Sequence, residues 1–135
     1  MDHILLVEDN QDNADLMIRI LEPAGYEIQH ISRGLEAAPA AKARRPDLIL
    51  LDFNLPDIDG RNLILTLKRL LGGNQAPPIV AVTARTGKAE EMIATRFGCD
   101  AFVQKPFDPE EFLAIVIQLT SAKQKEVGAA DLHKS

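Results

Sequence analysis

From its start to about Leu119, the chain alternates short apolar runs with stretches whose apolar residues recur at helical spacing. This is the sequence form of a parallel sheet covered by helices on both faces, an α/β doubly wound architecture. The predicted strands are Ile4–Val7, Glu27–Ile31, Leu48–Asp52, Ile79–Thr83 and Ala101–Gln104. The first, third and fourth read ILLV, LILLD and IVAVT, nearly unbroken apolar runs of the kind carried by strands buried on both faces. The second, EIQHI, alternates and is expected toward an edge of the sheet.

Between the strands, Ala14, Met17, Leu21 and Ala24 form one helical stripe, and Leu63, Leu67, Leu70 and Leu71 form another. A helix carrying Ala89, Met92, Ile93 and Phe97 is expected to close at Gly98, a residue suited to the left-handed conformation that ends many helices. Around Leu35 to Ala43, Pro39 removes a backbone donor, so the second helix should be short or irregular. The last helix is predicted to start at Pro109 with Asp108 as its N-cap and Glu110 and Glu111 at the positive end of the dipole. Phe112, Ile115, Val116 and Leu119 share one face of it, and Leu113 and Ile117 widen the apolar sector to roughly half the circumference. That width suggests a second contact. Past Ser121 the pattern lapses, dividing a domain at residues 1–122 from a polar tail or linker start at 123–135.

Composition narrows the function classes. With 135 residues, 46% of them apolar, the chain can bury one continuous core without disulfides. A net charge of −5 and a pI near 5.1 argue against a nucleic-acid or anionic-membrane surface. The only cysteine, Cys99, cannot pair within the chain and reads as a small buried side chain, which suits a reducing cytoplasm. The first apolar run ends at Glu8 and Asp9, unlike a signal peptide, and no run approaches the roughly 20 residues of a membrane span.

In an open parallel sheet, ligands bind beyond the carboxyl ends of the strands. There the first strand delivers Glu8 and Asp9, the third Asp52, the fourth Thr83, and the fifth Lys105 one residue past its end. Crowded carboxylates repel one another unless a cation neutralises them, so a metal is implied. Oxygen donors with no His or Cys cluster favour Mg²⁺ or Mn²⁺ over zinc. His3, His30 and His133 stand at no ligand spacing and are expected at surface or edge positions. Lys105 offers a point charge for a carboxylate or a phosphoryl oxygen, and Thr83 a hydroxyl donor. The Lys105–Pro106 peptide is a candidate for the cis form.

The segments ILLVEDN at 4–10, DLILLDFNLPDIDG at 47–60, PIVAVTA at 78–84 and GCDAFVQKPF at 98–107 resemble the receiver domain of two-component response regulators over roughly residues 3 to 121. The resemblance implies a flavodoxin-like five-stranded sheet of order 2-1-3-4-5, as in the single-domain chemotaxis regulators. It further implies that Asp52 is the phosphoacceptor, taking a phosphoryl group from a phosphohistidine of a sensor histidine kinase or phosphotransfer protein. Asp9 and Asp52 would ligate Mg²⁺ directly, Glu8 through a water, and Asn54 through its backbone carbonyl. Glu8 stands where the family more often has a second aspartate. Thr83 and Phe102 would form the switch, Phe102 replacing a more frequent tyrosine and so acting by shape alone. Asn54 and Arg85 occupy the positions that tune phosphoryl lifetime. The partner surface would be the fourth helix, fifth strand and fifth helix, with Met92, Leu113 and Ile117 as candidates for effector docking or homodimerisation, and Leu113 equally suited to the core edge. The only catalysis implied is self-phosphorylation and dephosphorylation.

Other readings stay open. A Mg²⁺-dependent aspartyl-phosphate phosphohydrolase would also use a strand-end aspartate, but the acid expected two residues later is Asn54. A receiver that binds partners without phosphorylation would be expected to have lost some of these residues. Met1 directly before the first strand suggests a free N-terminus, and the tail reads equally as an end or as a link within a hybrid kinase or multidomain regulator.

Overall fold

A computed structural model describes residues 2–84 and 88–134, with the backbone alone described for 88–90, 94 and 122–134. Five parallel strands, β1 (His3–Val7), β2 (Glu27–Ile31), β3 (Leu48–Asp52), β4 (Ile79–Thr83) and β5 (Ala101–Gln104), form one sheet of order β2-β1-β3-β4-β5. The helices are α1 (Gln11–Leu21), α2 (Ala37–Ala43), α3 (Gly60–Leu70), α4 (Lys88–Arg96) and α5 (Pro109–Lys134). Every residue of β1, β3 and β4 is buried, whereas the alternating β2 lies at an edge and is half-buried. The apolar runs thus sort the strands between centre and edge, as the pattern predicts.

Successive side chains of a strand point to opposite faces, and two cores result. Leu5, Val7, Ile49, Leu51, Ile79 and Ala81 face α2 and α3. Ile4, Leu6, Leu48, Leu50, Val80 and Val82 face α1 and α5, where Met17, Leu21, Phe112 and Val116 cover them. Asp108 accepts from the Glu110 amide at 2.8 Å to cap α5, and Gly98, at φ 109°, follows the end of α4. Pro39 is accommodated because it falls in the first turn of a seven-residue α2, after a 3₁₀ turn at Gly34–Glu36. In that turn an amide would have had no intrahelical acceptor.

Three expectations need correction. Ala24 lies in a 3₁₀ turn beyond α1 and is exposed, and Leu70 is 41% exposed while Ile64 takes the core position. His3 is buried within β1, with its Nε2 facing Gln29 Oε1 at 3.2 Å. The α5 backbone stays helical to Lys134, past the residue at which the apolar pattern lapses.

Phe112 is fully buried and stacks on Phe107 at 4.6 Å, whereas Ile117, one turn further on, is 43% exposed. Phe112→Ala is expected to lower unfolding free energy in urea by about 3–5 kcal/mol. Ile117→Ala should change it by no more than about 0.5 kcal/mol. Equal losses for the two would contradict this assignment of the α5 faces.

Candidate functional site

The site forms where the parallel strands end. The chain leaves β1 through Glu8 and Asp9 and enters α1 at Asn10, whose side chain accepts from the Asn13 amide at 2.9 Å. β3 ends in Asp52, and carboxylate oxygens of Glu8, Asp9 and Asp52 lie within 4.8 Å of one another. Glu8 and Asp52 are buried, and Asp9 is exposed. Lys105 follows β5, its amide donating to the Thr83 carbonyl at 2.8 Å, and its cis peptide leads into Pro106. Its Nζ lies 2.5 Å from Glu8 Oε1 and 3.5 Å from Asp52 Oδ2. The β3–α3 loop is closed at its base. A Cβ on Gly60 would stand 2.6 Å from the Phe53 carbonyl oxygen, so a glycine lets α3 begin against the end of β3.

Asn54 links the acceptor strand to its neighbour. Its amide donates to Asp52 Oδ1 at 2.9 Å and its side chain donates to Thr83 Oγ1 at 2.8 Å. Thr83 is fully buried. Phe102 is half-buried against the α3-side core together with Ile93 and Phe97. Met92 and Ile117 are exposed, and Leu113 is half-buried against the α1–α5 core, which favours the core-edge role for it. Arg85 lies outside the described residues. Sequence reasoning missed His30, whose Nε2 donates to the Glu8 carbonyl at 2.8 Å from the neighbouring strand. The strand order was the available signal, because it sets the end of β2 beside the end of β1.

Burial pushes the Glu8 carboxyl up to about 7, with Asp52 adding to the rise and Lys105 opposing it. Lys105 thus faces the two buried carboxylates, Glu8 and Asp52. The donor set is entirely hard oxygen, with no His or Cys ligand group among the described residues, and it fits a Mg²⁺-like cation. A cleft of about 460 Å³, lined by Asn54, Asp57, Arg61 and Ile93 among others, opens beside this cluster.

The sequence matches the response regulator receiver domain over residues 4–117. The chain belongs to this family. It is similar to the polar-differentiation response regulator DivK of Brucella anthropi, 35% identical over 113 residues, covering 84% of this chain and 91% of the relative. It spans about half the length of other curated relatives it matches, 52% and 48% in two of them. Among solved structures, a CheY-like receiver domain protein from Methanospirillum hungatei superposes with a TM-score of 0.85 at 26% identity, covering 93% of this chain and 98% of that one. The receiver domain of the sensor histidine kinase PA1611 from Pseudomonas aeruginosa matches with a TM-score of 0.80 at 29% identity, covering 89% and 98%. That structure carries a magnesium ion in its active-site cleft. Receiver domains of this family are signalling proteins rather than classical enzymes. Among the described residues of this one, no helix is long and apolar enough to cross a membrane.

The raised Glu8 carboxyl links folding to pH. The metal-free folded receiver keeps a proton up to about pH 7 that the unfolded chain releases near 4.5. Stability from this group is therefore complete below about 4.5 and is lost as pH rises through about 7. Urea titrations of metal-free protein at stepped pH should show that decline, and Glu8→Gln should flatten it. An undiminished slope in Glu8→Gln would assign the effect elsewhere.

Proposed function

We propose that this receiver is a phosphorylation switch in which Asp52 accepts a phosphoryl group from a phosphohistidine of a sensor kinase or histidine phosphotransfer protein. The observation that carries this reading is the position of Asp52, buried at a strand end within a carboxylate cluster and 3.5 Å from the Lys105 ammonium. An Asp52 oxygen bonds to phosphorus as the phosphorus–nitrogen bond to the donor imidazole breaks, and the electron pair leaves with the imidazole. Glu8, Asp9, Asp52 and the Asn54 carbonyl are the proposed holders of Mg²⁺ or Mn²⁺. When bound, that cation neutralises the carboxylates and the phosphoryl oxygens. Lys105 exchanges its carboxylate contacts for a phosphoryl oxygen, so charge developing on the transferring group meets an ammonium already in place.

The product carries roughly two negative charges where Asp52 carried one. Thr83 then turns its hydroxyl to the new oxygens, and Phe102 follows into the space beside it. Phe102 lacks a hydroxyl, so the α4-β5-α5 face reports the change by packing. Met92 and Ile117 on this face are the proposed contacts for an effector or a second copy of the chain. The working unit is residues 1–122, with 123–135 as tail or linker, acting in the cytoplasm. A net charge of −5 supports a protein partner rather than DNA.

Intact mass spectrometry with acetyl phosphate and Mg²⁺ tests the acceptor. The wild type should gain about 80 Da, one phosphoryl group, only with the metal present, and Asp52→Asn should gain nothing. Lys105→Ala should form the adduct roughly a hundredfold more slowly. An adduct persisting in Asp52→Asn would remove Asp52 from this role. Failure of the wild type to gain mass or bind beryllofluoride, where a control receiver does both, would remove the switch reading.

A further inference from the structure

The loop leaving the acceptor strand is tied at its tip to the corner between β2 and α2. Asp57, three residues beyond Asn54, accepts from two backbone amides, Oδ1 from Gly34 at 3.0 Å and Oδ2 from Leu35 at 2.9 Å. Those amides open the 3₁₀ turn at Gly34–Glu36, where helical donors lack intrahelical acceptors. Packing runs along the same line. A Cβ on Gly34 would stand 2.2 Å from Ile58 Cγ2 and 2.9 Å from Leu55 Cδ1, so the two segments are closed to glycine distance. Desolvation works to raise the Asp57 carboxyl, but the Leu35 and Gly34 amides hold it below the usual carboxylate range. The pairing is therefore that of a carboxylate with two amides, stronger than a bond between neutral groups.

The base of the same loop is fixed where Phe53 meets Gly60. Asn54 lies between these two anchors, its amide on Asp52 and its side chain on Thr83. A loop free at its tip would have to be ordered when its carbonyl is recruited, and that ordering subtracts from binding. We infer that Asp57 is a positioning residue for the proposed metal site, clamping the loop to Gly34 and Leu35 so that the Asn54 carbonyl is held ready for the cation. The inference rests on the reading of Glu8, Asp9 and Asp52 as metal ligands. Asp57 itself touches neither the cation nor the phosphoryl group.

Calorimetric titration of the whole chain with MgCl₂ tests the clamp in wild type, Asp57→Ala, Asp57→Asn and Asp100→Ala. Asp100 serves as the control because it accepts from the Ile79 amide at 2.8 Å, at the start of β4 and so at the other end of the sheet. Asp57→Ala is expected to weaken Mg²⁺ binding about tenfold, the lower end of what loss of an outer-shell partner costs. Asp57→Asn keeps one accepting oxygen and should recover part of that loss. Asp100→Ala should lower Tm and leave the affinity unchanged. Wild-type affinity in Asp57→Ala overturns the inference, and so does an equal loss in Asp100→Ala, which would mark general loosening. A wild type that binds no Mg²⁺ overturns the metal-site reading and this inference with it, an outcome distinct from the first two.

Discussion

Like charge concentrated at one end of a parallel sheet is the constraint from which the site follows. Because β1 and β3 are adjacent and run the same way, the residues after Val7 and at Asp52 must meet. In an apolar surrounding their carboxylates repel, and burial makes the ionised forms more costly. The protein answers with the Lys105 ammonium, which follows β5, two places beyond β3 in the sheet. Burial, with Asp52 adding to it and Lys105 opposing it, leaves the Glu8 carboxyl raised. A divalent cation held by these carboxylates would relieve that repulsion.

The sheet makes that imbalance tolerable. Central strands buried on both faces hold Asp52 and Thr83 in fixed register, with Asp52 opposite Val82 and Thr83 opposite Gln104. Close-packed cores resist small displacements, so the carboxylates cannot relax apart by moving their strands. Only the connections beyond the strand ends can yield. Among the described residues, three of them are held by side chains acting on backbone amides: Asn10 at the start of α1, Asp59 at the start of α3 and Asp57 across to the β2–α2 corner. The same amide-capping chemistry that starts helices therefore supports the geometry of the proposed site.

The central strands were legible because runs such as LILLD and IVAVT have no polar face to offer. The convergence of Glu8, Asp9, Asp52, Thr83 and Lys105 was legible for the same reason, since strand ends fix where side chains converge. Leu70 was misplaced because two apolar residues, Leu70 and Leu71, compete for one stripe, and only helix orientation decides which is buried. His3 was misplaced because a histidine at the start of a central strand can be enclosed by its neighbours once its ring finds Gln29 on β2. The Asp57 contacts were invisible for another reason. They join a loop to a turn that are 23 and 22 residues apart in sequence, and no local pattern records such a pairing.

Asn54 stands where charge would become shape. It donates to both Asp52 and Thr83, so the resting site already couples the proposed acceptor to the proposed switch through one side chain and one amide. Thr83 is fully buried, and a hydroxyl in that position cannot leave one partner without finding another. Phosphoryl oxygens at Asp52 would provide that partner, and the move would empty volume on the sheet face that Thr83 shares with Ala81, the register neighbour of Phe102. A half-buried phenyl ring gains apolar contact by filling such a space, at about 25 cal/mol per Å² of surface removed from water. The driving force for the outward signal would then come from packing, and the phosphoryl group would only release it. A switch of this proposed kind would need no hydroxyl on the fifth strand, and phenylalanine could serve at that position.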